Sequence, residues 1–528
     1  MATTMPQTKI KSAVILFIIV LLAIALRLYC FRGFVGLDDA EYSRFANQMN
    51  QGTFALGSYE GPAVFPLRVG IIFPTAILYG LFGISELSMV AYPLALSILG
   101  ILLAFFCGSY LFGRFAGLIA AAIWAVLPVE MQNATKLLPD LPGAFYGAVC
   151  VIFLLLVLKT RIHRKLILFS GGFLAGIAFG MSWLCKETIA YLVPFLVILF
   201  IVTSRQDFKR NLPIWIGAAA GALGVLFAEM AIYYHLTGDL FFRFHEMERN
   251  YLQWKDGFFT EGSRWGWPIG GSYVKALVKR IFLTGPAFFF LNPQFLFIPS
   301  FAAIACLHAC YWQDKKFLIP SLWFVCILIM FNFSSSSLSS YMPVPLFERY
   351  FYLLFFPAVL VTAGFLGKLI SSKRRGESSI VHKEQAFWGS ILLAVLILIG
   401  GYQAFRAVRD IGNIKAWKVD TRRASHDLSP EQTVFTDAIS KKGLEFYWRY
   451  PDELKVIDFE GIKSTADIPQ GSYVLTNRQY VDWLVLNAGM WLTKNAVYKK
   501  PEFIDKPPRT WKRLWKNTNA SLFEVESE

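Results

Sequence analysis

The stretch Gly36-Leu-Asp-Asp-Ala-Glu-Tyr-Ser-Arg-Phe-Ala-Asn-Gln-Met-Asn-Gln-Gly52 sets two adjacent carboxylates, Asp38 and Asp39, just after a long apolar segment. Carboxylates in that position have two uses. They cap the helix that follows, since Asp38, Asp39 and Glu41 all fall in its first turn, where the helix dipole favours negative charge. Alternatively, one of them takes the proton of an acceptor hydroxyl as a general base. Capping explains one carboxylate well and two less well. Tyr42, Phe45, Ala46 and Met49 recur at helical spacing, which predicts an amphipathic helix lying at a membrane surface. Further on, Asp140, Lys186 and Arg349 each stand at the end of an apolar run, and Glu60 and Arg68 lie in the loop after the amphipathic helix. Each also has a structural reading: an N-cap for Asp140, an interfacial ion pair or snorkelling for Lys186-Glu187, a helix anchor for Arg349.

Other polar residues weigh less. Glu229 lies inside an apolar run, where an acid is a functional suspect by default, but the sequence assigns it no partner, His235 included, and a structural role fits it at least as well. Arg27 is expected to snorkel outward, and Cys306, His308 and Cys310 on one helix read as packing. The seven Cys show no zinc spacing, and none follows Cys326. Asn133-Ala-Thr135 and Asn519-Ala-Ser521 match glycosylation sequons. Trp254, Phe258, Phe259, Trp265 and Trp267 form an interfacial belt or the wall of a sugar groove, or both.

The elements that must position these residues are membrane helices. Of 528 residues 55% are hydrophobic and 16% charged, against about 25% charged in a soluble protein, and the mean hydropathy is +0.48. A soluble enzyme and a disordered scaffold are both excluded. The net charge of +15 falls mostly in short loops between apolar runs, which makes it a topology signal and not a nucleic-acid surface. Eleven spans are expected: 12–31, 88–112, 115–129, 141–158, 166–185, 188–203, 212–233, 295–312, 317–333, 351–367 and 386–405. The short apolar segment 69–83 is expected at the interface. With that assignment Arg114, the 159–165 and 205–210 clusters, Lys315, Lys316 and 373–375 all face the cytoplasm, as does the N-terminus, whose first span is a retained signal-anchor. Loops 32–68, 235–282 and 332–348 then lie outside. After residue 405 the composition turns charged, with strand-like runs at 433–436, 455–459 and 472–476. This divides the chain into a membrane domain, 1–405, and a small α/β domain, 406–528, on the outer side.

The acidic pair with a Tyr four positions on and an amphipathic helix resembles the GT-C membrane glycosyltransferases, in the branch of protein O-mannosyltransferases and the lipid A aminoarabinose transferase. Glu60-Gly-Pro62 stands where that branch often has Glu-Lys-Pro. Leu138-Pro-Asp-Leu-Pro142 stands where an Asp opens the fourth span, and Gly180-Met-Ser-Trp-Leu-Cys-Lys-Glu187 is similar to a Gly-rich helix ending in Lys. Glu348-Arg-Tyr-Phe351 is similar to an Arg-Tyr opening a late span. The resemblance implies a polytopic α-helical fold and inverting transfer of a sugar from a polyprenyl-phosphate donor to a lipid, glycan or protein acceptor outside the cytoplasm. It implies Asp38 as the catalytic base and Lys186, Arg349 and Tyr350 at the substrate, where Arg68 could stand in for the motif's Lys. It leaves Asp39, Glu60 and Asp140 to orient substrate or to hold a divalent ion. Gly61 replaces the motif's Lys, and the Arg usual near Val90-Ala91-Tyr92 is missing. Two other classes use similar parts. A lipid-linked-sugar flippase would carry charges deep within several spans and symmetric halves, and a surface-polysaccharide polymerase or ligase would share the donor chemistry.

Overall fold

The computed structural model describes residues 5–56, 64–250, 273–337, 339, 341–371, 380–459, 462, 464–477, 503, 506–517 and 520–526. Among them, eight helices are long and apolar enough to cross a membrane, and the protein is a multi-pass membrane protein. Helix α1 (Met5–Tyr29) leads through a loop to the amphipathic α2 (Asp38–Gln51) and the short α3 (Val69–Phe82). Next come α4 (Glu86–Phe112), α5 (Arg114–Val126), α6 (Pro128–Asn133), α7 (Asp140–Lys159) and α8 (Lys165–Cys185). The 14 residues of α3 reach only about 21 Å, short of the roughly 30 Å hydrocarbon layer.

Helix α9 (Val193–Thr237) holds two of the expected spans, with non-helical backbone at Asp207 between them. The Phe200 and Trp215 rings are 5.5 Å apart, whereas a straight helix would separate them by about 22 Å, so the two limbs fold back on each other. The remaining helices of the membrane half are α10 (Ile298–Tyr311), as short as α3, and the span-length α11 (Lys315–Phe333), α12 (Tyr352–Ser371) and α13 (Ile380–Asp427). Helix α12 is buried along almost its whole length. Phe289, Phe295, Phe331, Phe351 and Phe355 pack edge to face at its start.

One feature differs from the sequence expectation, and a second was left open by it. Arg27 does not snorkel: it is fully buried, its Nε donates to Ser97 Oγ at 2.6 Å and its Nη1 to the carbonyl of Ala125 at 3.1 Å. Glu130, also buried, lies 3.9 Å away, and a counter-charge on another helix removes the need to reach for water. Glu229 pairs not with His235 but with Arg243, and it accepts from Trp183 Nε1 at 2.7 Å and Tyr233 Oη at 3.2 Å.

Beyond the membrane spans, α13 runs unbroken through residue 405 to Asp427, so the charged region hangs from the last span as one rigid rod. It carries a five-stranded sheet ordered β2-β1-β3-β5-β4. The strands are β1 (Val434–Thr436), β2 (Val456–Asp458), β3 (Tyr473–Asn477), β4 (Trp511–Lys516) and β5 (Ala520–Val525). Strands β1, β2 and β3 are parallel, while β5 runs antiparallel to β3 and β4. Three of the strands fall at the expected runs; β4 and β5 were not anticipated. Helix α14 (Ala438–Tyr447), capped by Asp437, faces the membrane half. The Trp511–Asn517 end of the chain returns to α13, where Asn517 donates to Asp420 at 2.5 Å.

Helices α8 and α9 meet backbone to backbone. A Cβ on Gly172 would lie 2.0 Å from the Ile214 carbonyl oxygen, and one on Gly176 would lie 2.1 Å from that of Ala218. Gly217 and Gly221 present the reciprocal faces at 2.2 and 2.3 Å. Small residues four apart give van der Waals contact where lipid offers no hydrophobic drive for association. This contact fixes where α8 ends and therefore where Lys186 stands. Gly176→Leu is expected to lower thermal stability in detergent by about 1–3 kcal/mol or more, as overpacking does. Gly224→Ala, whose Cβ meets nothing within 4 Å, is expected to leave the melting temperature unchanged or slightly raised.

Candidate active site

The loop before α2 turns at Gly33 (φ +60°) and Gly36 (φ +82°). A Cβ on Gly36 would lie 2.9 Å from Ile439 and 3.2 Å from Trp417, so glycine answers both the dihedral and the close approach. Asp39 ties the loop down. Its carboxylate accepts from the amides of Val35 at 2.6 Å, Leu37 at 2.9 Å and Gly36 at 3.4 Å. Burial raises its pKa, opposed by those amides. Asp39 therefore shapes the turn that presents its neighbour.

Asp38, by contrast, points away and receives Arg349 Nη2 at 2.5 Å. Burial on its own would raise the Asp38 pKa, but the Arg349 charge and hydrogen bond, with Lys442 and Lys186 further off, hold it below the usual carboxylate value. Arg349 lies in a short 3-10 turn, Glu348–Phe351, leading into α12. Its guanidinium carbon is 5.4 Å from the Tyr350 ring centre, and Lys186 Nζ is 3.7 Å from the same centre. Lys186, the first residue after α8, forms a buried ion pair with Asp140, the first residue of α7. Asp38, Arg349, Tyr350, Lys186 and Asp140 thus make one connected chain of contacts drawn from four distant segments.

Arg68 sits beside this chain at the start of α3, held by both oxygens of Glu187 and by the Cys185 carbonyl at 3.5 Å. Glu60 lies outside the described residues, as do the aromatic residues 254–267. The Asn133-Ala-Thr135 sequon is built into the fold, with Thr135 Oγ1 accepting from the Arg32 amide at 3.0 Å. Among the described residues no three His, Cys, Asp or Glu side chains converge on a metal-sized point. Asp39 is occupied by amides and Asp140 by Lys186, so these two do not form a cation cradle.

Three participants escape the sequence reading. Glu187 adjoins a residue singled out there, but nothing local pairs it with Arg68, 119 positions away. Lys442 comes from α14 of the sheet domain and pairs with Glu41 at 2.9 Å. Lys136 lies four residues before Asp140, in a link pinned to the loop that carries Asp38.

Comparison with known proteins agrees with this architecture. Residues 70–233 match the sequence model of a family described as dolichyl-phosphate-mannose-protein mannosyltransferase. No curated protein sequence matches significantly. The crystal structure of ArnT from Cupriavidus metallidurans in the apo state is similar, with a TM-score of 0.58 and 14% identity over 98% of each chain. The fold is GT-C. ArnT bound to undecaprenyl phosphate gives a TM-score of 0.56 at 14% identity, covering 99% of this chain and 100% of ArnT. The Archaeoglobus fulgidus oligosaccharyltransferase tethered to an acceptor peptide gives 0.52 at 12% identity, over 98% of this chain and 74% of that one. The GT-C match to ArnT includes the sheet domain, since almost the whole of both chains is covered.

Lys186 and Asp140 form a buried pair whose two halves can be removed singly or together. Lys186→Met leaves Asp140 buried without its partner and is expected to cost about 3–5 kcal/mol. Asp140→Leu with Lys186→Met is expected to recover most of that stability in a detergent melt.

Proposed function

We propose that the protein is an inverting glycosyltransferase that moves a sugar from a polyprenyl-phosphate donor to a hydroxyl of a lipid, glycan or protein acceptor outside the cytoplasm. The observation that carries this reading is the Asp38–Arg349 pair, in which the end of one span and the start of another bring a carboxylate and a cation together. Asp38 is the base. It removes the acceptor's proton as the oxygen attacks the anomeric carbon, and the bond from that carbon to the phosphate oxygen breaks on the opposite face. Arg349 and Lys186 hold the negative charge that gathers on the departing phosphate, as oriented cations do in a site shielded from water. Tyr350 fixes both cations through its ring. Arg68 positions Lys186 through Glu187, and Asp39 positions Asp38 through the loop.

A donor phosphate competes with Asp38 for Arg349. As the guanidinium turns to the phosphate, Asp38 loses the charge that held its pKa down and becomes a stronger base at the moment it is needed. The basic loops support a site on the periplasmic side of the plasma (inner) membrane with the N-terminus in the cytoplasm. A neighbour of the same fold bound to undecaprenyl phosphate supports the donor class.

Detergent-purified protein, incubated with a panel of polyprenyl-phosphate sugars, is expected to consume one of them. Asp38→Asn is expected to lower turnover by about 10²–10⁴-fold with the protein's melting temperature kept; wild-type turnover in that variant rejects the assignment. A carboxylate with a lowered folded-state pKa stays ionised as pH falls through the ordinary range, so the acid limb of kcat/KM is expected below about 3.9. Arg349→Met removes the lowering influence and leaves the burial, so its residual activity is expected to fall off at a higher pH.

A further inference from the structure

Lys136 lies in the link between α6 and α7. Thr135 fastens that link to the Asp38 loop, its side chain accepting from the Arg32 amide and its carbonyl from the Gly33 amide at 2.9 Å. The Lys136 ammonium donates to Asn133 Oδ1 at 3.1 Å, and Asn133 is oriented by donating its own amide to the Val129 carbonyl at 2.8 Å. Among charged groups, Arg32, Arg349, Asp39 and Asp38 act most strongly on Lys136. Arg349, Lys186 and Arg68 are each matched by a carboxylate, Asp38, Asp140 and Glu187 in turn. Lys136 is matched, among the described residues, by a neutral amide.

We infer that Lys136 is a phosphate-binding residue that holds the donor's phosphate beside Arg349. The inference rests on the glycosyl-transfer reading above and adds a residue to it. An arriving phosphate that meets Arg349 or Lys186 must displace a carboxylate. At Lys136 it displaces only an amide oxygen, so the net gain of a charge-assisted hydrogen bond is larger there. Burial and the positive charges of Arg32 and Arg349 push the Lys136 pKa well down, with Asp39 and Asp38 opposing. An anion among these three cations relieves that repulsion. In the transfer step Lys136 keeps its proton. The acceptor's proton goes to Asp38, the electron pair of the broken bond goes to the phosphate oxygen, and Lys136 donates a hydrogen bond to the resulting dianion.

The test compares binding of undecaprenyl phosphate and of undecaprenol, the same chain without phosphate, to the full-length protein in detergent. Wild type is expected to prefer the phosphate. Lys136→Met is expected to weaken phosphate binding by about tenfold or more, the loss of one charge-assisted contact, with undecaprenol binding unchanged. Lys136→Arg, which keeps the charge, is expected to restore most of the affinity. A methionine variant that binds undecaprenyl phosphate as wild type does overturns the inference and leaves the glycosyl-transfer reading standing. An arginine variant as weak as the methionine one, at the same size-exclusion profile, also overturns it by showing that packing and not charge matters. A wild-type protein that does not distinguish phosphate from alcohol overturns both readings.

Discussion

Arg349 reaches Asp38 across 311 positions of sequence, and the electrostatics of the membrane edge explain why it must. A charge withdrawn from water in a low-dielectric setting is costly unless an opposite charge or several hydrogen bonds accompany it. Three buried cations near the site are met by carboxylates from elsewhere in the fold. Lys186 meets Asp140, Arg68 meets Glu187 and Arg243 meets Glu229. The pairs hold helix ends in register. Removing one partner would strand the other, which makes positioning and chemistry hard to separate within this network.

The sheet domain is part of the same arrangement. Glu86, at the start of α4, receives Lys418 at 2.5 Å, Arg422 at 2.9 Å and the Tyr447 hydroxyl at 3.0 Å. Tyr450 donates to Ser43 at 2.8 Å, and Lys442 reaches Glu41. Trp417, fully buried, stacks near Phe34 and donates to Ser440 at 3.1 Å. The result is that α13 and α14 brace α2 and its preceding loop from the side opposite the spans. The orientation of Asp38 thus depends on residues from both halves of the chain, and α13, continuous from the last span into the sheet domain, makes that brace stiff.

Much of the fold was legible in the sequence. Apolar runs of span length, basic loops between them and the helical spacing of Tyr42, Phe45 and Ala46 are local signals, and hydropathy and periodicity are local properties. The strand-like runs that became β1, β2 and β3 were legible for the same reason. Strands β4 and β5 alternate less cleanly, with Lys512, Arg513 and Lys516 in β4, and they form because β5 pairs with β3 across the sheet. Arg27 was misread because its partners, Ser97 and Glu130, are remote.

The sequence by itself determined that this is a multi-pass membrane protein with polar residues at the ends of its spans, because each of those properties is written within twenty or so consecutive residues. Only the tertiary structure decided the pairings. It separated two adjacent carboxylates into a loop anchor, Asp39, and a half-buried partner of Arg349, Asp38. It gave Arg68 to Glu187 and left Lys136 with an amide. Those outcomes turn on which helix ends meet, and that is decided by side-chain packing between segments far apart in the chain, such as the glycine faces of α8 and α9.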